Sequence, residues 1–270
     1  MNVIGRNNVK VLGQGQTPMI FAHGFGCNQN MWRKVVPAFA EDHQIILFDH
    51  VGAGGSDTAS YNRAKYNSLQ GYANDVIEIC EQLDLEQAIF VGHSVSAMIG
   101  ALAANKRPEL FSKLIMIGPS PCYMDDGDYR GGFSREAIQE LLRSLESNFE
   151  GWSKTMAPVI MGRPDDVALA EELVVSFCTT RPEIAKHFAQ VTFTSDNRAD
   201  LAKVSVSSLI LQCANDVIAP EFVGEYVHRQ IKSSSYQLMK AQGHCPHLSA
   251  PEETIHKIKM FLADKLARAV

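Results

Sequence analysis

The chain has 270 residues, 46% of them hydrophobic and 20% charged, with a formal net charge of −5. That length suits one large domain carrying an insertion rather than two independent domains, and the composition is that of a globular protein. The charge is scattered without a Lys/Arg run or basic stripe, so nucleic acid and anionic membrane surfaces are not expected partners.

The opening residues, Met1 to Asn8, hold no apolar stretch of the kind a secretory signal carries, and apolar runs such as Leu114 to Ile117 are far too short to span a membrane. Val9 to Leu12, followed by Gly13-Gln14-Gly15, reads as an opening antiparallel hairpin. Short apolar runs then alternate with helical stretches. The runs are Met19 to Ala22, Gln44 to Phe48, Ala88 to Val91, Lys113 to Ile117, Ser208 to Gln212 and Tyr236 to Met239. Continuous, mostly apolar runs without alternation suit strands buried on both faces. The helical stretches fall at 30–40, 68–83, 95–105, 220–230 and 251–266, the last opened by Pro251 with Glu252 and Glu253 in its first turn. Strand and helix in alternation predict an α/β fold: a mostly parallel central sheet flanked by helices.

From Pro121 to Asp196 the alternation stops. Helical patterns occupy 134–145, with Ser134 as N-cap, then 150–160, 165–178 and 182–193. The expected organisation is a core of residues 1–120 and 197–270, interrupted by an all-helical insertion of residues 121–196 lying over the sheet. The six cysteines (Cys27, Cys80, Cys122, Cys178, Cys213, Cys245) follow no framework spacing and read as free, mostly buried thiols, which suits a cytoplasmic protein.

The chemistry is concentrated in Val91-Gly92-His93-Ser94-Val95-Ser96, where a buried strand runs straight into a helix of small residues. That context is a nucleophile elbow, and it marks Ser94 as the nucleophile. The usual pattern is G-x-S-x-G; Ser96 replaces its last glycine and is a weaker rival for the attacking role. A serine hydroxyl needs a base, and in this order of elements the acid and the histidine follow it. Asp216 and His244 each stand just past a buried run, at the strand ends where ligands bind in open α/β sheets. Asp165, Asp196 and Asp200 are rivals for the acid, but none directly follows a buried run; His247 is a rival for the base, but Gly243 directly before His244 suits a loop that must present the ring.

Oxyanion donors are expected from the backbone N–H of Val95 and from that of Phe25 in the loop His23-Gly24-Phe25-Gly26, with His23 bracing the loop. Asp49 to Ser56 is rich in glycine but fits no nucleotide-binding pattern and reads as a tight turn after a strand. His244, Cys245 and His247 lack a second ligand pair, so no metal and no cofactor is expected.

These features make the chain resemble the RsbQ group of bacterial α/β hydrolases and their plant relatives, the karrikin and strigolactone receptors. The resemblance is carried by His23-Gly24-Phe25-Gly26, Gly92 to Met98, Arg107 to Lys113, Tyr129 to Phe133 and Gly243 to Ser249. Pro119 to Tyr123 and Cys245 lean towards the bacterial side, whereas Ser96 is the form found in the plant receptors. The resemblance implies an α/β-hydrolase fold with a four-helix cap enclosing an apolar pocket, to which Phe25, Phe133, Trp152, Met156 and Phe193 correspond. It also implies a signalling role in which the protein acts with a PAS-domain phosphatase in stress sigma-factor regulation.

The expected activity is hydrolysis of a small, mostly hydrophobic ester or lactone through an acyl-enzyme on Ser94. A ligand receptor or phosphatase activator with secondary hydrolysis is the alternative, and a carbon–carbon bond hydrolase or perhydrolase would use the same residues.

Overall fold

The computed structural model describes residues 2–264. Seven strands, β1 (Lys10–Leu12), β2 (Thr17–Ala22), β3 (His43–Leu47), β4 (Ala88–His93), β5 (Phe111–Ile117), β6 (Ser207–Ala214) and β7 (Ser234–Gln242), form one sheet in the order β1-β3-β2-β4-β5-β6-β7. All neighbours are parallel except β1 and β3. The helices are α1 (Val3–Arg6), α2 (Leu69–Gln82), α3 (Val95–Lys106), α4 (Arg135–Ser147), α5 (Phe149–Met161), α6 (Val167–Cys178), α7 (Pro182–Thr194), α8 (Arg198–Leu201), α9 (Glu221–Gln230), α10 (Pro246–Ser249) and α11 (Pro251–Ala263).

The uninterrupted apolar runs follow from burial on both faces. In β2, Ile20 and Ala22 join the core formed with α2 and α3, while Met19 and Phe21 join the opposite core with Trp32, Phe39, Ile258 and Phe261. β4 and β5 divide in the same way, Phe90, Leu114 and Met116 to one side and Val91, Ile115 and Ile117 to the other. Period-2 geometry with both sides covered leaves no solvated face, so the buried polar side chains of β6, Ser208 and Gln212, donate to backbone carbonyls instead. The α/β expectation therefore holds.

Two local expectations need correction, and one short helix was not anticipated. The opening segment makes no hairpin with the strand after it; β1 pairs antiparallel with β3, which lies between β1 and β2. Gly15 passes so close to the Asp42 backbone that a Cβ there would sit 2.0 Å from its carbonyl oxygen, so the chain crosses the entrance of β3 before entering β2. Residues 30–40 form two 3₁₀ turns, Gln29–Trp32 and Val36–Ala38, instead of one helix. Their backbone bonds run between residues three apart, and Pro37 removes a donor within the second turn. α1 had no sequence signal because four residues show no period; Asn2 caps it, and Arg6 reaches buried Asp75 at 3.0 Å. The last helix agrees with expectation as far as Ala263; residues 265 and 266 of the expected span lie outside the described residues.

Four consecutive helices, α4 to α7, separate β5 from β6. Ser134 accepts from the Ala137 N–H at the start of α4 as its position suggests, and Gly162 ends α5 in a left-handed conformation, φ +62°. Their apolar faces form a third cluster with Tyr123 from the same stretch and with Cys27, Ile218, Cys245 and Leu248 from outside it.

The glycine-rich segment after β3 wraps the carboxylate of Asp49. Its Oδ1 accepts from the Gln29 N–H at 2.8 Å, and its Oδ2 from Asn8 Nδ2 at 2.7 Å, Gly55 N–H at 2.9 Å and Gln29 Nε2 at 3.1 Å. One side chain thereby joins the N-terminal segment, the β2–β3 connection and the turn. Asp49→Ala leaves these donors without their acceptor and should destabilise the fold by about 2–4 kcal/mol, read as a lower urea midpoint at unchanged slope; a midpoint equal to wild type would refute this reading of the turn.

Candidate active site

β4 delivers Gly92, His93 and Ser94 to the C-terminal edge of the sheet, and α3 begins at the next residue. Ser94 has φ +57° and ψ −124°, a conformation few residues other than glycine adopt, and its N–H is tied to the Ile117 carbonyl at 2.8 Å. The turn is tight enough that a Cβ on Gly92 would lie 2.5 Å from the Ser96 carbonyl oxygen. Val95 is the first residue of α3, so its N–H is one of the donors a helix cannot use internally.

β6 and β7 end at the same edge. Asp216 follows β6, and its Oδ1 accepts from the N–H groups of Ile218 and Ala219 at 2.9 and 3.0 Å. Its Oδ2 lies 2.7 Å from His244 Nδ1, and His244 Nε2 lies 2.7 Å from Ser94 Oγ. A carboxylate only accepts, so the imidazole proton is on Nδ1 and the Nε2 lone pair faces the serine hydroxyl. The three side chains belong to buried residues.

His244 is fixed by its backbone as well. Its carbonyl accepts from His93 Nε2 at 2.7 Å, and its N–H donates to the Ile160 carbonyl at 2.7 Å, near the end of α5. Gly243 has φ +77°, and Gly162 packs directly on it; a Cβ on Gly162 would sit 2.7 Å from the Gly243 Cα.

The loop after β2 lies beside the elbow. A Cβ on Gly24 would come within 3.3 Å of the Ser94 Cβ. His23 Nδ1 donates to the Gly24 carbonyl at 2.9 Å, and His23 Nε2 accepts from the His50 N–H at 3.1 Å, so this ring braces the loop. Phe25 points into the inserted helices, with the rings of Trp152, Phe177, Phe188 and Phe193 centred 5.7–6.3 Å away.

Above Ser94 and His244 lies a cavity of about 30 Å³, a slot rather than a chamber. Phe25, Trp152, Met156 and Phe193 line it, but Phe133 does not. Residues 122–133 fold back as short bridged segments in which Phe133 donates its N–H to the Tyr123 carbonyl at 3.2 Å, and Tyr123 supplies the wall where Phe133 was expected. Phe177, Leu173, Ile160, Ile218, Thr192, Cys27 and Cys245 also line it and had no sequence signal beyond helical periodicity or adjacency to His244. Burial pushes the Cys27 thiol up to about 12, so it stays protonated and does not compete as a nucleophile. Burial likewise raises the Tyr123 phenol to about 12.

The rivals are engaged elsewhere. Asp165 pairs with Arg163, Asp196 with Arg198 and Asp200 with Lys203. His247 packs at a tilt against Trp32 and His93, with ring centroids 4.7 and 4.4 Å apart. Among the described residues, no group of three or more His, Cys, Asp or Glu side chains is placed to hold a metal ion.

Comparison with known proteins agrees with this architecture. Residues 17–251 match the family model described as alpha/beta hydrolase fold. The chain is 39% identical over 250 residues to a Karrikin insensitive 2 receptor of Petunia hybrida, covering 92% of this chain and 93% of that one. It is 38% identical over 258 residues to a strigolactone esterase of Pisum sativum, covering 95% and 96%. A solved structure of a hydrolase from Oleispira antarctica superposes with a TM-score of 0.94 at 41% identity, covering 97% of both chains.

The hydrogen bonds of Asp216 set the outcome of its replacement by asparagine. In Asp216→Asn, the amide oxygen satisfies the Ile218 and Ala219 N–H groups and turns the NH₂ towards His244, forcing the imidazole proton to Nε2. Turnover of an activated ester should fall about 10⁴-fold with the melting temperature nearly unchanged, and a loss below tenfold would refute the tautomer argument. Separately, burial is the largest influence lowering the pKa values of His23, His50, His93 and His247, the last to about 3. The unfolded chain binds these protons near pH 6.5 and the folded chain does not, so stability is full above about pH 6.5 and falls as pH drops towards 3. The unfolding free energy from urea titrations should decline between pH 7.5 and pH 5, by up to about 1.4 kcal/mol per pH unit for each such histidine; a flat profile would contradict it.

Proposed function

Because this chain belongs to the alpha/beta hydrolase family, we propose that it is a serine hydrolase cleaving a small, mostly apolar ester or lactone. The observation that carries the reading is the chain of two 2.7 Å hydrogen bonds, Ser94 to His244 to Asp216, at the floor of an apolar slot. Ser94 Oγ attacks the carbonyl carbon while His244 Nε2 takes its proton. Asp216 keeps the other imidazole proton in place and stabilises the imidazolium that forms. The N–H groups of Phe25 and Val95 receive the oxyanion, each donor contributing on the order of 3 kcal/mol to the barrier. His244 then returns the proton to the leaving alcohol, and water releases the acyl group by the same route in reverse.

The narrowness of the slot and its wall of Phe25, Trp152, Met156, Phe177 and Phe193 favour a slim, apolar acyl or lactone ring. In this reading helices α4 to α7, within residues 121–196, act as a cap that excludes water from the acyl-enzyme. A signalling role like that of RsbQ, exerted on a PAS-domain phosphatase, is the second reading, and the similarity to a protein named as a receptor supports it. A cytoplasmic setting suits both, because all six cysteines are free thiols. Among the described residues no helix is long and apolar enough to cross a membrane.

Ser94→Ala should abolish p-nitrophenyl acetate turnover, a fall of at least about 10³-fold, together with covalent labelling by phenylmethylsulfonyl fluoride. Labelling that persists in the variant would overturn the assignment.

A further inference from the structure

Behind the candidate oxyanion hole, four hydrogen bonds tie His23, His50 and Ser96 to one another and to Gly24, and the reaction scheme leaves Ser96 and His50 without a task. The His50 N–H donates to His23 Nε2 at 3.1 Å, which puts the His23 proton on Nδ1, and Nδ1 donates to the Gly24 carbonyl at 2.9 Å. The Ser96 hydroxyl donates to the His23 carbonyl. His50 Nε2 lies 2.7 Å from Ser96 Oγ. The one proton of Ser96 is committed to His23, so the His50 ring must be the donor in that pair. Every proton in the set has a single place.

The set is also rigid. His23 and His50 are each 1% exposed and Ser96 is fully buried. The His50 ring stands edge-on to Phe48, Tyr72 and Phe188, with centroids 5.2, 5.5 and 6.1 Å away.

What the ends of the set carry gives it a function. The Gly24 carbonyl and the Phe25 N–H belong to one planar peptide unit, so fixing the carbonyl fixes the direction of the N–H opposite. A second bond to the same carbonyl, from the Cys27 N–H at 3.2 Å, tightens that plane. Hydrogen bonds accepted by a carbonyl also polarise the peptide and strengthen its N–H as a donor. At the other end, Ser96 directly follows Val95 in the first turn of α3. The set therefore runs from the residue beside one oxyanion donor to the peptide bearing the other.

Resting on the serine-hydrolase reading above, we propose that Ser96 and His50 are positioning residues that hold the Val95 and Phe25 N–H groups at the spacing and direction the tetrahedral intermediate requires. A glycine in the place of Ser96, as in the usual elbow, has no hydroxyl to join the turn to the loop. The departure from the common motif is then an addition to the machinery.

The test compares Ser96→Gly, His50→Leu, His50→Gln and Ser94→Ala in p-nitrophenyl acetate hydrolysis and in inhibition by phenylboronic acid, whose tetrahedral adduct calls on the same two donors. Ser96→Gly, although it restores the commoner motif, should lower kcat about 10-fold with KM within about twofold, and weaken boronate inhibition by a similar factor. His50→Leu should behave alike. His50→Gln, whose side-chain amide can reach the place of Nε2, should recover most of the loss. A role in folding alone would lower the melting temperature without this paired loss of kcat and boronate affinity. Ser96→Gly with wild-type kcat and boronate affinity overturns the proposal while leaving the hydrolase reading intact if Ser94→Ala is inactive. Turnover that survives Ser94→Ala overturns the hydrolase reading itself.

Discussion

The backbone of Ser94 is held at φ +57° by everything around it, and that one constraint organises the site. A non-glycine residue in such a conformation costs on the order of 1–3 kcal/mol and persists only where its surroundings over-determine it. Here the Ile117 carbonyl takes the Ser94 N–H on one side, and α3 starts immediately on the other. Gly92 allows strand and helix to approach closely enough for both to hold. The conformation lifts the hydroxyl clear of the sheet edge, where Asp216 and His244 arrive from β6 and β7. Parallel strands make this convergence simple, because they all end their chemistry-bearing loops at one edge.

Much of this is legible in the residues. The runs Met19 to Ala22, Ala88 to Val91 and Leu114 to Ile117 are apolar at every position because cores lie on both faces, and a strand with one solvated face would alternate instead. Asp216 stands out because it follows the buried strand β6, whereas His244 follows the edge strand β7, whose short run Tyr236 to Met239 is only partly buried. The pairing of the opening segment is not legible, because strand order is a non-local property: nothing in Val9 to Gly15 says that β3 will be placed between β1 and β2. The 30–40 stretch carries buried Trp32, Val35, Val36 and Phe39 at spacings that suit either helix type, and Pro37 decides between them. Phe133 and Tyr123 are backbone partners, so which of the two faces the cavity depends on a turn that sequence spacing does not encode.

The inserted helices take part in the site rather than merely covering it. Phe25 sits in the loop proposed to hold the oxyanion, yet its ring is packed among Trp152, Phe177, Phe188 and Phe193 of α5, α6 and α7. The Ser176 hydroxyl, from α6, donates to the Gly26 carbonyl at 3.1 Å, and Phe177 lies against Gly26 so closely that a Cβ there would collide with its ring. Aromatic packing of this kind contributes about 0.5–1.5 kcal/mol per pair beyond area burial. The loop's position is therefore set partly by the sheet and partly by helices that belong to a separate stretch of sequence.

The bond from the His244 N–H to the Ile160 carbonyl makes α5 a structural neighbour of the imidazole itself. If α5 swings outward as a rigid body, that buried donor loses its acceptor, at a cost of about 1–3 kcal/mol, and the contact between Gly162 and Gly243 opens with it. In the proposed mechanism, entry of a bulky molecule and alignment of the proton acceptor are thus mechanically opposed: whatever pries the helices apart would also loosen the histidine proposed to act next, so the molecule would have to settle before reaction could begin.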